Sequence, residues 1–177
     1  MAKWWLIGVF GVVVIQRLIE LGVAKRNATW IKEQGGVEHS PEHYPWIVAL
    51  HVSWFIAWPL EAFLRGPDIV VWWWTPFMFL IFGQMLRYGA LFSLGKHWNT
   101  RIFVIPGEKP VSKGLYNIIP HPNYVAVAIE LACFPLLFQA KYTAVAATAV
   151  NAFLLLRIRI PAENKALATL EQVEQTS

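Results

Sequence analysis

Long apolar runs separated by short polar stretches constrain this chain more than any other feature of its sequence. Of its 177 residues, 56% are hydrophobic and only 15% are charged, and the mean hydropathy is +0.44. A water-soluble domain of this size would carry more charge. A helix needs about 20 apolar residues to cross the hydrocarbon of a bilayer, and several runs approach that length. The pattern predicts an all-α, polytopic membrane protein.

The lengths of the apolar runs predict about five transmembrane helices in a single domain that covers residues 1–177. The predicted spans are residues 4–21, 46–64, 69–94, 122–138 and 142–160, followed by a tail at 161–177. The last two spans are short and rich in alanine, so we expect them to form a tight hairpin. A turn is expected at residues 65–68, and Pro76 is expected to kink the third span.

Basic residues predict the orientation, because Lys and Arg accumulate in cytoplasmic loops. With the spans above, ten of the 15 Lys and Arg residues fall on the side that holds the loop 104–124 and the C-terminal tail, against three on the other side. We therefore expect the N-terminus outside and the C-terminus in the cytoplasm. The formal net charge of +4 then reflects topology, and we expect no nucleic-acid partner.

Polar groups inside the spans are informative because a charge in the bilayer is costly. Six of them lie toward the predicted cytoplasmic ends of the first three spans: Gln16, Arg17, Glu20, His51, Gln84 and Arg87. Arg17 and Glu20 either pair or extend to the interface, whereas His51 and Arg87 are expected to line a polar cavity. Glu130 and Asn151 lie deeper and are expected to form hydrogen bonds between helices.

A metal site is not expected. His39 and His43 are four residues apart, but Pro41 falls between them and no third His or Cys stands at a useful spacing. The single cysteine, Cys133, lies inside an apolar run, where we expect it to pack as a small hydrophobic residue.

The loop 104–124 is the one long polar interruption, and we expect the chemistry there. Pro122 can occupy the first turn of the following helix, which leaves His121 beside free backbone amides that suit a carboxylate. The hydroxyls of Tyr116 and Tyr124 add hydrogen bonds, and their rings can stack on a nucleobase or attract a cation. Such a pocket suits S-adenosylmethionine. The alternative is a structured juxtamembrane loop without a ligand.

Four motifs resemble, in order and spacing, the isoprenylcysteine carboxyl methyltransferase family of integral-membrane methyltransferases. They are EKPV at 108–111, KGLY at 113–116, HPNY at 121–124 and RIPAE at 159–163. Further segments resemble the bacterial branch that O-methylates alkylpyrones and alkylresorcinol-type phenolic lipids. These are RN at 26–27, GGVE at 35–38, HYP at 43–45 and HWNTR at 97–101.

The resemblance implies a site for S-adenosylmethionine on the cytoplasmic face of a bacterial inner membrane. The cofactor-binding residues that it implies are Glu108, Lys109, Pro110, Val111, Tyr116, His121, Pro122, Asn123, Tyr124 and Glu163. Arg159 matches the family arginine that faces the methyl-accepting group, and with His121 it is the expected catalytic residue. The residues expected to contact the acceptor, besides Arg159, are Trp98, Arg101, His43, Tyr44 and Arg87. The chain departs from the family at Pro120, where an Arg is usual, and at Asn164, where a second Glu is usual.

The expected reaction is transfer of a methyl group from S-adenosylmethionine to an oxygen of a lipid that enters from the bilayer. The oxygen is an enolic or phenolic hydroxyl or a carboxylate, as in an alkylpyrone or alkylresorcinol, and a phenol would benefit from His121 or His43 as a base. Three alternatives stay open: carboxyl methylation of a prenylated cysteine, an NADPH-dependent sterol or enone reductase, and a non-catalytic membrane subunit. The sequence indicates no particular oligomeric state.

Overall fold

A computed structural model describes residues 2–66 and 68–175 of the chain. In this part of the chain six α-helices follow one another: α1 (Ala2–Glu33), α2 (Tyr44–Arg65), α3 (Trp74–Leu94), α4 (Pro122–Leu137), α5 (Lys141–Leu154) and α6 (Ile160–Gln175). Within those residues four helical stretches are long and apolar enough to cross a membrane, and they are Lys3–Glu33, Pro41–Arg65, Trp74–His97 and Lys141–Ala168. The predicted all-α, polytopic membrane class is confirmed.

The remaining predicted span corresponds to α4, which is apolar but has only 16 residues. At about 1.5 Å per residue it measures roughly 24 Å, less than the hydrocarbon thickness of about 30 Å. It lies in the middle of the bundle, where it packs against α3 and α5, and α5 in turn packs against α2. Ala126, Ala144 and Ala147 are buried, as small residues at close helix contacts would be.

Helices α2 and α5 run antiparallel. The carboxylate of Glu61, near the end of α2, accepts hydrogen bonds from the backbone amides of Tyr142 at 3.0 Å and Thr143 at 2.7 Å, in the first turn of α5. These contacts satisfy amides that have no partner inside the helix. The opposite ends of the two helices meet at the candidate site described below.

Two segments extend beyond their predicted boundaries. Helix α1 continues past Leu21 to Glu33, because no proline interrupts it before Gly35, whose φ of 80° ends the helix. Helix α5 passes through a π-helical turn, Leu155–Arg159, into α6, so the tail expected after residue 160 is helical as far as Gln175. The π turn inserts one extra residue into a helical turn, and such turns are frequent at functional sites.

A short antiparallel ribbon was not predicted. Strand β1 (Val37–His39) pairs with β2 (Ile102–Val104), with Val37 opposite Val104. Ile102 and Val104 are buried against Ala166, which places α6 over the ribbon. Strands of three residues give no alternation that a sequence pattern could reveal.

The tryptophans divide between the surface and the core. Trp4, Trp5 and the run at 72–74 are exposed, as an interfacial aromatic belt requires. Trp58, by contrast, is fully buried and stacks on Phe138 with ring centroids 5.7 Å apart. Pro76 lies in the first turn of α3 and not at an interior kink, because a missing N–H breaks no hydrogen bond there.

A charge network of Arg17, Glu20, Arg87 and Glu130 is buried between α1, α3 and α4. Arg87 Nε donates to Glu130 Oε1 at 2.8 Å, and Arg87 Nη1 donates to Glu20 Oε2 at 3.1 Å. Arg17 donates to both carboxylates, and its bond to Glu130 Oε2 is 2.7 Å long. The interhelical role predicted for Glu130 is therefore confirmed, and the two acids neutralise the two bases.

Candidate active site

A cavity of about 650 Å³ lies at the end of the bundle where α2 begins and α5 ends. One part of it, the polar pocket, is lined by Glu108, Tyr116, His121, Tyr124 and Glu163. The other part, the apolar arm, runs between α1 and α2 and is lined by Phe10, Val14, Leu18, Val48, Val52 and Phe55. The two parts form one continuous space, so a polar and an apolar ligand can meet inside it.

Arg159 lies at the junction of the two parts, at the end of the π turn, and is only 5% exposed. Its Nε donates to Tyr124 Oη at 3.0 Å, and its Nη2 donates to the carbonyl oxygen of Thr100 at 2.9 Å. Its Nη1 lies 3.3 Å from His43 Nε2. Among the described residues no carboxylate forms an ion pair with Arg159. The buried positive charge is thus held by neutral groups, an arrangement that favours an anionic ligand.

Tyr124 connects Arg159 to the acid predicted for the cofactor site. The Tyr124 hydroxyl donates to the carboxylate of Glu163, on the first turn of α6. The ring of His121 stacks on Tyr124 with centroids 5.2 Å apart, and His121 Nδ1 is 3.8 Å from Glu163 Oε2. Burial, and then the nearby charge of Glu163, raises the pKa of Tyr116, so its hydroxyl is protonated at neutral pH.

The histidine beside Arg159 has a defined proton position. Because a guanidinium can only donate, His43 Nε2 accepts from Arg159 and the imidazole proton is on Nδ1. That Nδ1 is buried and has no hydrogen-bond partner among the described residues. The lone pair that a general base would use is therefore already occupied by Arg159.

Four of the other predicted acceptor contacts, Tyr44, Arg87, Trp98 and Arg101, also line the cavity. The guanidinium of Arg101 lies over the ring of Tyr44, 4.6 Å from its centroid, and donates to Glu38 at 3.1 Å. Trp98 is buried on the cavity wall, and its Nε1 has no partner among the described residues. Arg87 also lines the cavity, although its guanidinium is bound by the charge network. Their contact with an acceptor stays a prediction.

Nearly all the residues predicted for the cofactor line the cavity. These are Glu108, Lys109, Pro110, Val111, Tyr116, His121, Asn123, Tyr124 and Glu163. Pro122 does not, and it occupies the first turn of α4 as predicted. Pro120 lies on the wall, whereas Asn164 is exposed and does not line the cavity, so the departure from the family at Asn164 removes no side chain from the wall.

Gly114 allows the loop to pack closely against α3. Its φ is 59°, and a Cβ at this residue would lie 2.2 Å from Ser93 Oγ. The Ser93 hydroxyl also accepts a hydrogen bond from the Leu115 amide at 3.2 Å. The close approach that only glycine allows here is therefore to α3.

Two features of the site escaped the sequence interpretation. The carbonyl of Thr100 has no side-chain signature, so its contact with Arg159 could not be read from the sequence. Asn151 was expected to bond to another helix, but its Nδ2 has no partner among the described residues and the residue lines the cavity. The sequence showed a polar residue in an apolar span, but it did not show which way the side chain points.

Comparison with known proteins agrees with the motifs around this cavity. The sequence model of the isoprenylcysteine carboxyl methyltransferase (ICMT) family matches residues 74–169. This chain belongs to the ICMT family. The matched range holds α3, α4, α5 and every predicted cofactor residue, and members of the family use S-adenosylmethionine as the methyl donor. The chain is therefore a membrane protein of a methyltransferase family.

Two relatives of this ICMT-family chain match it over most of their length. An uncharacterized protein of Bacillus subtilis (strain 168), YpbQ, is 39% identical over 164 residues, which are 93% of this chain and 96% of the relative. An uncharacterized protein of Haemophilus influenzae is 24% identical over 162 residues, 91% of this chain and 94% of the relative. No solved structure matches the chain significantly.

Proposed function

We propose that this protein transfers a methyl group from S-adenosylmethionine to an oxygen of a membrane-embedded lipid. The acceptor is an enolic or phenolic hydroxyl or a carboxylate, as in an alkylpyrone or an alkylresorcinol. The observation that carries the proposal is Arg159, a buried guanidinium without a described carboxylate partner, at the junction of a polar pocket and an apolar arm.

The side chains of the polar pocket fit S-adenosylmethionine. Asn123 Oδ1 is buried on the wall without a hydrogen-bond partner among the described residues, so it would accept an N–H of the ligand. The carboxylates of Glu108 and Glu163 suit ribose hydroxyls or an amine, and the rings of Tyr116 and His121 suit an adenine. When bound, the cofactor would supply an electrophilic methyl group on a sulfonium.

Arg159 would hold and activate the acceptor oxygen. Its positive charge stabilises an oxyanion, and in a dry cavity that stabilisation is stronger than in water. The hydrogen bonds to Tyr124, Thr100 and His43 fix the plane of the guanidinium before any acceptor enters. Fixed orientation and partial desolvation of an anionic nucleophile both lower the barrier of a displacement reaction.

The need for a base depends on the acceptor. An enolic pyrone or a carboxylate is ionised near neutral pH and needs none. For a phenol, His121 is a better candidate than His43, because the lone pair of His43 Nε2 is occupied by Arg159. His121 Nδ1 lies 3.8 Å from Glu163 Oε2, so its imidazole stands beside a carboxylate.

The apolar arm gives the lipid tail a place beside the reacting oxygen. The arm faces α1 and α2, whose outer surfaces carry many exposed apolar side chains, so a lipid can approach from the bilayer. The charge distribution of the loops favours a polar pocket that opens to the cytoplasm, where the cofactor is available. Both ligands would then reach Arg159 without crossing the membrane.

Ligand binding by the purified protein tests this proposal. In lipid nanodiscs, radiolabelled S-adenosylmethionine should bind saturably and NADPH should not displace it. Binding of NADPH alone would support a reductase, and binding of neither would support a non-catalytic subunit. Offering the loaded protein an alkylpyrone, an alkylresorcinol and a prenylated cysteine then separates the lipid acceptors from the carboxyl terminus of a prenylated peptide, which is also compatible with the family.

A further inference from the structure

The antiparallel pair α2 and α5 brings two polar side chains to the same depth below Arg159. His43 contacts Arg159 at the site end of the pair, and Glu61 contacts Thr143 at the other end. His51 follows His43 by eight residues, and Asn151 precedes Arg159 by eight residues. At a rise of about 1.5 Å per residue, both side chains lie roughly 12 Å below the His43–Arg159 contact.

Both side chains line the cavity and each has one unused hydrogen-bonding atom. Asn151 is 4% exposed, and its Nδ2 has no partner among the described residues. His51 Nδ1 is 2.8 Å from the carbonyl oxygen of Ile47, so Nδ1 carries the proton and Nε2 is an acceptor. No hydrogen bond of Nε2 is present in the part of the chain that the structure describes. An unused donor on α5 and an unused acceptor on α2 thus line the same cavity.

The neighbouring polar groups do not satisfy these two atoms. Glu130 and Glu20 are bound by Arg17 and Arg87, and the four charges cancel. The network therefore offers no net charge that would attract an ion to this depth. A neutral ligand group that both donates and accepts is the natural partner of the pair, and among simple lipid groups a hydroxyl does both.

We propose that His51 and Asn151 form a second polar subsite inside the cavity, which binds a hydroxyl group on the tail of the acceptor lipid. Asn151 Nδ2 would donate to the hydroxyl oxygen, and His51 Nε2 would accept its proton in a hydrogen bond. One helical turn further along α2, Phe55 also lines the arm, and its ring meets Phe10 with centroids 6.1 Å apart. This inference rests on the proposed function, because the acceptor tail must occupy the arm.

Binding of a matched pair of fatty acids tests the subsite without any methylation. One probe is a saturated long-chain fatty acid, whose carboxylate suits Arg159, and the other is its mid-chain hydroxy derivative. Affinities are measured by tryptophan fluorescence of the protein in nanodiscs. The wild-type protein should bind the hydroxy acid at least about tenfold more tightly, which corresponds to one well-formed buried hydrogen bond.

Two variants and one control assign the preference to the subsite. Asn151→Leu and His51→Leu should each remove most of the preference and leave the affinity for the unsubstituted acid unchanged. Thr148→Val is the matched control, because Thr148 Oγ1 is also buried on α5 without a described partner but does not line the cavity. This variant should keep the full preference.

Three results would overturn the inference: equal affinities in the wild-type protein, binding of neither acid, or equal losses for both acids in the two leucine variants. Transfer of labelled methyl from S-adenosylmethionine to an alkylpyrone separates a failure of the subsite from a failure of the proposed function. Methylation without a hydroxyl preference would leave the proposed function standing and remove the subsite. Absence of both S-adenosylmethionine binding and methylation would remove the proposed function itself.

Discussion

At the scale of single residues, Arg159 combines deep burial with a charge that no carboxylate among the described residues pairs with directly. Three of its five donors are directed at a phenol, a carbonyl and an imidazole. Only a planar guanidinium reaches all three at once, since a lysine ammonium is a point charge on a flexible stem. The Arg159 side chain therefore has a fixed orientation as well as a positive charge.

We predict that Arg159→Ala lowers the kcat of methyl transfer about 100-fold or more, because the charge that stabilises the acceptor oxygen is lost. Arg159→Lys should restore only a small part of the rate, since the fixed plane is absent. The affinity for S-adenosylmethionine should stay within about threefold of wild type, as Arg159 is placed toward the acceptor. Single-turnover kinetics with equilibrium binding measure both quantities, and a loss confined to cofactor affinity would contradict this role.

Substitutions on the cofactor side of the cavity should instead weaken the binding of S-adenosylmethionine. We predict that Glu163→Gln and His121→Ala each weaken binding of S-adenosylmethionine by about tenfold, the effect of losing one buried polar contact. Isothermal titration calorimetry of the protein in detergent measures the change. Glu33→Gln, an exposed residue at the end of α1, is the control and should bind normally. Unchanged affinity in both pocket variants would refute the assignment of the polar pocket.

The sequence motifs identified most of the polar side chains that line the cavity, because a motif is defined by residue type and spacing along the chain. Contacts made by backbone atoms cannot be read from a motif, as the hydrogen bond from Arg159 to the Thr100 carbonyl shows. The direction of a polar residue inside a span was also hidden. Glu130 and Asn151 looked alike in the sequence, yet Glu130 is bound by two arginines, whereas the Nδ2 of Asn151 has no partner among the described residues.

At the scale of secondary-structure elements, the charge network fixes α1, α3 and α4 to one another. A buried ion pair that loses one member leaves an unpaired charge, which costs more than the intact pair contributes. Arg87 and Glu130 are each less than 10% exposed, and Glu130 is shared between two arginines. The network therefore locks the relative positions of these helices more than it adds net stability.

We predict that Arg87→Leu and Glu130→Leu each destabilise the protein by about 3–5 kcal/mol. The double variant should be less destabilised than the sum of the single variants, because it leaves no direct partner of the pair unpaired. Glu33→Gln is again the control. Denaturant titration of the protein in mild detergent measures the free energy of unfolding. Additive effects of the two substitutions would contradict the coupling of Arg87 and Glu130.

The apolar runs predicted where the helices lie, but they did not predict where the helices end. The membrane hydrocarbon sets the length of the apolar part of α1, whereas its continuation to Glu33 depends on local residues that happen to contain no breaker. The ribbon of β1 and β2 depends on pairing between segments far apart in the chain. No periodicity in the sequence indicates the π turn between α5 and α6.

At the scale of the whole molecule, one cavity joins a polar pocket to an apolar arm. Composition alone established the membrane class, because hydropathy and span length are sums over many residues. The cavity could not be predicted in that way, since it is the space that six packed elements leave between them. The orientation of this arrangement in the membrane stays a prediction from the charge of the loops.

We predict that the loop 104–124 faces the cytoplasm, because most basic residues lie on its side of the membrane. In a Cys133→Ser background, Lys113→Cys should react with a membrane-impermeant maleimide only after spheroplasts are permeabilised. Lys3→Cys, near the N-terminus, should react in intact spheroplasts and is the matched control. The reverse labelling pattern would place the polar pocket outside the cell and contradict the proposed route of the cofactor.

The most direct test of the account is transfer of a labelled methyl group into lipid. Purified protein in nanodiscs is given S-adenosylmethionine with a tritiated methyl group and an alkylpyrone or alkylresorcinol, and the organic extract is counted and analysed by mass spectrometry. We predict a product with one added methyl group on oxygen, formed by the wild-type protein and almost absent with Arg159→Ala. Label that stays in the aqueous phase, or equal transfer by both proteins, would contradict the central claim.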